Sequence, residues 1–281
     1  MTRQTVRLFP ALLALSFLVA GCDINVGEHG FSMDVASGKA QNEWTRTYTI
    51  APGGRLEIAN INGTINASPG DGPRVEVRAE RIAKASNDDK AQELLKKIDI
   101  VETTSADKVR VETKVPKMSW GRSGHEVRYW VKVPKGLAVN FETVNGGVRL
   151  ENLEGQIVAS TTNGGIRGKG LRGAVKADTT NGGVELDMET VTGDIELETT
   201  NGGIRLSLPQ DTKANLEAHC VNGGIGVEDG WTGYQEAEKS RRHLRATLNG
   251  GGPRVSAETT NGGIKISTTE RSNSHPRGGT D

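Results

Sequence analysis

Thr199-Thr200-Asn201-Gly202-Gly203-Ile204 is the stretch whose reading decides the fold. Asn-Gly-Gly recurs at Asn145, Asn163, Asn181, Asn201, Asn222, Asn249 and Asn261, with steps of 18, 18, 20 and 21 residues from Asn145 to Asn222. Self-similarity at a near-constant period is the signature of a repeat architecture. Counting from the Asn, positions −6, −4 and −2 are apolar or small, as in Ile195, Leu197 and Thr199, and positions +3 and +5 are aliphatic, as in Ile204 and Leu206. Apolar residues at every second position on both sides of a bend mark half-buried strands. Asn-Gly-Gly between them supplies residues that tolerate positive φ. A degenerate copy precedes the array at Asn62-Gly63, with Leu56, Ile58, Asn60, Ile65 and Ala67 in the inward slots. Asn249-Gly250-Gly251-Gly252 lacks the flanking pattern and reads as a different turn.

Two all-β architectures fit. In an antiparallel meander or β-sandwich each Asn-Gly is a hairpin turn, and position −3 faces +4, pairing Glu198 with Arg205 and Glu142 with Arg149. In a right-handed β-solenoid, a β-helix-like repeat domain, each copy is one coil and the corners stack. The solenoid is the preferred reading. Hairpins need no identical corner, whereas Asn stacked over Asn gains hydrogen bonds, and Ala159, Ala177 and Ala218 suit a narrow coil. The corner residues Asn145, Asn163, Asn181, Asn201, Asn222 and Asn261 are then structural.

The chain divides in sequence order. Residues 1–21 read as a targeting segment: Arg3 and Arg7, then an apolar run from Leu8 to Ala20 that is too short for a lasting membrane span. Residues 22–43 read as a flexible tether, 44–136 as a β region with one helix at about 86–98, 137–268 as the repeat array with an insertion at 228–248, and 269–281 as a disordered tail. Ser86 or Asn87 caps the helix, Asp88 and Asp89 open it, Lys96 and Lys97 close it, and Ala91, Leu94, Leu95 and Ile98 form its apolar face. The helix is expected to pack on a sheet or to close an open end of the solenoid. Pro116 to Gly124 reads as a loop carrying Met118 and Trp120 at its tip. The insertion holds Trp231, Tyr234 and a basic run from Lys239 to Arg245.

Leu18-Val19-Ala20-Gly21-Cys22 resembles a bacterial lipobox. The resemblance implies cleavage before Cys22 and lipidation of that residue, anchoring the chain to a membrane; the competing reading is an ordinary secretory signal cut near Ala20. With Cys22 lipidated, Cys220, which takes a −2 slot, reads as a buried thiol rather than half of a disulfide. An acidic Asp23 resembles an inner-membrane retention signal. The lipobox, the early Asn-Gly strand pair, one charged helix and the tandem T-T-N-G-G-[IV] units together resemble the bacterial candidate-adhesin β-repeat family, a domain of unknown function. That resemblance covers roughly Trp44 to Thr268 and implies an extracytoplasmic, often membrane-linked, β-helix-like domain.

Catalytic chemistry finds little support. The formal net charge is zero, which points away from nucleic acid. The five histidines are scattered without metal-ligand spacing. Gly223 to Glu228 faintly matches one calcium nonapeptide, a site that needs tandem copies. No metal, cofactor or catalytic residue is assigned. Column −3 holds Glu142, Asp178, Glu198 and Glu258, with Ser160 and His219 between, and column +4 holds Arg149, Arg167, Arg205 and Lys265, with Glu185 and Gly226. These stripes suit a solvated surface or a polar face for a polysaccharide or an envelope protein. The expectation is a lipid-anchored, non-catalytic adhesion, binding or structural module on the periplasmic side of the inner membrane or in the outer membrane. Envelope-stress sensing and a carbohydrate-active β-helix enzyme are the alternatives.

Overall fold

A computed structural model describes residues 24–27, 30–33, 38–115, 123–228, 230–231 and 233–269. The Asn-Gly-Gly units form stacked coils in parallel register, as the solenoid reading expects. Glu154–Asn163 runs beside the later part of Ile166–Asn181, with Ile157 opposite Val175 and Asn163 opposite Asn181. Past the corner, Ile166 lies opposite Val184. Neighbouring coils run in the same direction, so the meander is excluded. Each coil, named here by its corner residue, contributes one strand to either side of the corner. Ala138–Asn145 and Val148–Glu151, for example, make the Asn145 coil.

The corner is held by three kinds of contact between coils. Each Asn donates from Nδ2 to Oδ1 of the neighbouring corner at 2.7–2.9 Å, in the order Asn222, Asn261, Asn201, Asn181, Asn163, Asn145, Asn62. Each −2 threonine donates to the carbonyl of the first corner glycine one coil away: Thr161 to Gly146 and Thr199 to Gly182, both at 2.8 Å, and Thr179 to Gly164 at 2.9 Å. The buried hydroxyl is thereby satisfied, as burial requires. Third, the glycine backbones touch. A Cβ on Gly182 would lie 1.9 Å from the Gly164 carbonyl oxygen, and one on Gly202 equally close to Gly182. These two glycines are not in the left-handed region. At these corners glycine is therefore required for room between coils and not for the positive φ the sequence suggested, which Gly63 and Gly146 do adopt.

Inside, the −6, −4, +3 and +5 residues pack the core: Val175, Ala177, Val184, Leu186, Ile195, Leu197, Ile204 and Leu206 are all buried. Gly168 leaves a gap at +5 that Leu171 fills, since a Cβ there would lie 2.5 Å from Leu171 Cδ1.

The order of coils in space departs from the order in sequence at both ends. The Asn261 coil, Arg254–Asn261 with Ile264–Thr269, lies between the Asn201 and Asn222 coils. The chain lays down Asn222 one slot out and adds the hairpin Tyr234–Lys239 and His243–Leu248, whose second strand pairs antiparallel with Ala214–Asn222. It then turns back into the gap through Asn249, Gly250 and Gly251, all at positive φ. Asn249 Nδ2 pins that turn to the carbonyls of Gln210 and Thr212. The insertion is thus an end cap. At the other end, Arg55–Ala59 and Ile65–Pro69, the Asn62 coil, lie between the Asn145 coil and a later coil made of Lys108–Lys114 and Gly124–Val133. Antiparallel strands finish that end: Asp99–Thr104 on one side, Arg74–Ala85 and then Gly38–Thr49 on the other. The first long strand thus begins at Gly38, inside the stretch read as a tether, and Ile24–Gly27 pairs with Gly30–Met33. The helix Asp88–Lys97 is capped by Asn87 Oδ1 accepting from the Lys90 N–H, and buries Ala91, Leu94 and Leu95 against Gly38–Thr49 and Arg74–Ala85. Cys22, Met118 and Trp120, with the targeting segment and the tail from residue 270, lie outside the described residues.

The Asn ladder ends on a histidine. Asn62 Nδ2 lies 2.8 Å from His125 Nε2, and because an amide nitrogen can only donate, the ring nitrogen accepts and the imidazole is neutral. Burial holds the His125 pKa below its ordinary value.

Two outcomes follow. Gly182→Ala forces two coils apart and should cost about 3 kcal/mol or more, at the upper end for overpacking. Gly226→Ala, with open space around its Cβ, should change stability by less than about 0.5 kcal/mol; urea midpoints compare the two. The second concerns pH. The folded chain binds the His125 proton less readily than the unfolded chain, so the unfolded state carries more protons once pH drops below about 6.5. Stability should fall as pH passes down through that value, and level off below the folded pKa. His125→Gln, which keeps an acceptor, should remove this component in thermal melts between pH 7 and 5.

Candidate functional site

Outward residues of successive coils line up in columns about 4.8 Å apart from strand to strand. Two grooves result, one on each side of the corner. The first, about 380 Å³, is lined by Asp178, Glu198, Glu258 and His219 of column −3 and by the threonines of the next outward column, Thr180, Thr200 and Thr260. Partial burial, with Glu142 and Glu196 nearby, raises the Asp178 pKa; burial, then Glu196 and Glu258, raises that of Glu198. Lys176 opposes both shifts, and its Nζ is 2.9 Å from Glu196. The carboxylates repel because strand register stacks them without intervening cations.

The second groove, about 650 Å³, is lined by Arg149, Arg167, Lys169, Arg205 and Lys265, with Glu151, Glu185 and Asp187 among them. Arg167 pairs with Glu185 at 3.6 Å along the column, and Lys265 pairs with Glu228. Among the described residues no ion pair joins column −3 to column +4. The cross-corner pairs Glu198–Arg205 and Glu142–Arg149 are absent because the two outward columns diverge at the bend. Arg149 and Arg205 have no carboxylate partner among the described residues, and Arg149 Nη1 reaches only Asn66 Oδ1, at 3.5 Å.

Column +4 does not stop at Arg149. The register carries it to Asn66, then Trp130, then Arg78. The Arg78 guanidinium lies 4.0 Å from the centroid of the Trp130 ring, a cation–π contact that fixes the ring plane. Sequence reasoning missed this extension. Asn66, Trp130 and Arg78 sit in three segments far apart in the chain, and only the insertion of the Asn62 coil beside Gly124–Val133 brings them into line.

The corner residues Asn145, Asn163, Asn181, Asn201, Asn222 and Asn261 form the ladder and are mostly exposed on the ridge between the grooves. Cys220 is a buried free thiol in its −2 slot, 3.9 Å from the Arg241 carbonyl. Among the described residues no cluster of His, Cys, Asp or Glu is arranged to hold a metal, and no helix is long and apolar enough to cross a membrane.

Fold and surface define a β-solenoid-like repeat domain with charged outer grooves. Residues 131–267 match the family model Toastrack DUF4097. No curated protein matches the sequence. Similar solved structures include the following three. A candidate cell adhesion protein from Clostridium sporogenes is 12% identical, with 82% of this chain and 100% of that chain covered and a TM-score of 0.49. A candidate adhesin from Bacteroides fragilis is 11% identical, covers 81% and 97%, and scores 0.32. A candidate lipid-binding protein from Parabacteroides distasonis is 10% identical, covers 82% and 97%, and scores 0.28.

The raised carboxylate pKa values carry an expected outcome. The folded state holds those protons more tightly than the unfolded state, so stability is lost as pH rises above about 4. Glu198→Gln should be more stable than the parent at pH 7, and the difference should vanish below about pH 4 in paired denaturation curves.

Proposed function

We propose that the chain is a lipid-anchored, extracytoplasmic, non-catalytic binding module of the cell envelope. The observation that carries this reading is the ladder-locked stack, which presents aligned outward columns on a rigid frame and uses its inward threonine hydroxyls in holding itself together. Rigid display of this kind favours binding by cutting the cost of ordering side chains. The address rests on the lipobox at Cys22.

The acidic groove is the feature that an enzyme reading would use. Its carboxylates are about 4.8 Å apart along the column, near the separation found in glycoside hydrolases. They stand side by side on one surface, however, and a glycosidase needs them flanking the scissile bond from different sides of the sugar. A binding role fits that arrangement better.

Two measurements test the proposal. Cys22→Ala should move the protein from the membrane pellet to the soluble fraction; unchanged partition removes the anchoring. The full-length chain on a glycan array should retain defined polysaccharides. A blank array, together with co-purification of a membrane kinase or anti-sigma factor, would replace adhesion with envelope-stress sensing.

A further inference from the structure

We infer that the column Trp130–Asn66–Arg149–Arg167–Arg205–Lys265 is a binding track for a linear anionic glycan, with a sugar-stacking slot at the Trp130 end. This rests on the binding-module reading above and names the ligand class and the residues that would hold it.

The slot comes first. Arg78 covers one face of the Trp130 ring and lies on the strand to one side of it, so the opposite face looks along the column toward Asn66. Asn66 is short and is held down by its own bonds, donating from Nδ2 to the Tyr129 carbonyl and to Thr64 Oγ1, both at 3.2 Å. Arg149 stands on the strand beyond. Trp130 and Arg149 are therefore two strand spacings apart, about 10 Å, with a short polar floor between them. An aromatic wall, a polar floor and a guanidinium wall at that separation suit a single sugar ring. Its C–H face would lie on the indole, and an acidic substituent would reach Arg149, whose planar fork matches a carboxylate or a sulfate.

The groove continues the slot. From Trp130 to Lys265 the register passes through six strand steps, about 29 Å, and meets cations at Arg149, Arg167, Arg205 and Lys265. Arg205 is exposed, and no carboxylate pairs with it among the described residues. Glu185 sits between Arg167 and Arg205 in the same column, and Glu151 and Asp187 line the same groove. A strand with a phosphate every few ångströms would meet these carboxylates along its length, whereas single-stranded nucleic-acid grooves are more uniformly basic and stack successive bases on several aromatics. A polymer with widely spaced acidic groups and saccharide between them avoids that repulsion. Four cations in line with one half-buried aromatic thus fit an acidic polysaccharide.

The test uses the full-length chain at physiological ionic strength with three probes: polygalacturonate for carboxylates, dextran sulfate for sulfates and neutral dextran. Polygalacturonate or dextran sulfate should bind and perturb tryptophan fluorescence, the stronger of the two identifying the acidic group; dextran should not. Arg149→Glu/Arg205→Glu, both at exposed positions, should weaken binding at least tenfold. Trp130→Ala should weaken it several-fold and abolish most of the fluorescence change, with Trp130→Phe partly restoring affinity should the alanine variant lose stability. Affinity unchanged in the double variant, equal binding of neutral dextran, or competition by oligo(dT) as effective as that of the glycan each overturns the track. Glycan binding that survives all these substitutions sinks the track alone; failure to bind any glycan sinks the binding-module reading with it.

Discussion

The hydrogen bond from each corner amide to the next sets the spacing of everything else. An asparagine carries a donor and an acceptor on one rigid plane, so a stack of them in register satisfies both groups without water. The ladder runs in one sense from Asn222 to Asn62, and each member donates to the one that follows it in that order. Such a chain of dipoles needs an acceptor at its far end, and neutral His125 is that acceptor. The glycine contact is the other half of the same constraint. Coils can approach to strand spacing at the corner only where neither backbone carries a Cβ. Asparagine supplies the attraction and glycine the room.

A stack built this way has open strand edges at its ends, which invite pairing with other chains. The protein closes them in the same manner at both ends. A coil from elsewhere in the sequence is inserted one slot inside the terminus, and antiparallel strands are laid over the outside. The outermost strand at one end, Tyr234–Lys239, is largely exposed and rich in charge, which discourages further addition. The non-sequential coils also tie distant segments together. One consequence reaches the surface. Because the Asn62 coil sits between Gly124–Val133 and the Asn145 coil, the basic column of the repeats runs on to Trp130.

Column arithmetic explains the electrostatics as well. In parallel register, a side chain faces its own equivalent in the next coil, so a repeat that places an acid at −3 places it beside another acid. Burial raises the pKa values of Asp178 and Glu198, and neighbouring carboxylates add to the shift. Column +4 places an acid among its cations at Glu185, and there it gains the Arg167 ion pair. Exposed pairs of this kind contribute little to stability, so the columns bear mainly on what the surface can bind.

The sequence determined the local part of the structure: the alternation about Asn-Gly-Gly showed which residues face inward, where each coil bends and that Asn249 is a separate turn, and the charge pattern after Ser86-Asn87 marked one helix. These features are legible because they depend on neighbours a few residues away and on the two-residue period of a strand. The identity of glycine was legible, but its reason was not, since the clash that demands it comes from another coil. The order of coils, the role of residues 228–248 as a cap, the loss of cross-corner pairing and the meeting of Trp130 with Asn66 and Arg149 were decided only by tertiary structure. Each depends on which strand lies beside which, and strand pairing between distant segments is set by the competition to cover every edge and fill one core, a property of the whole chain that no local pattern records.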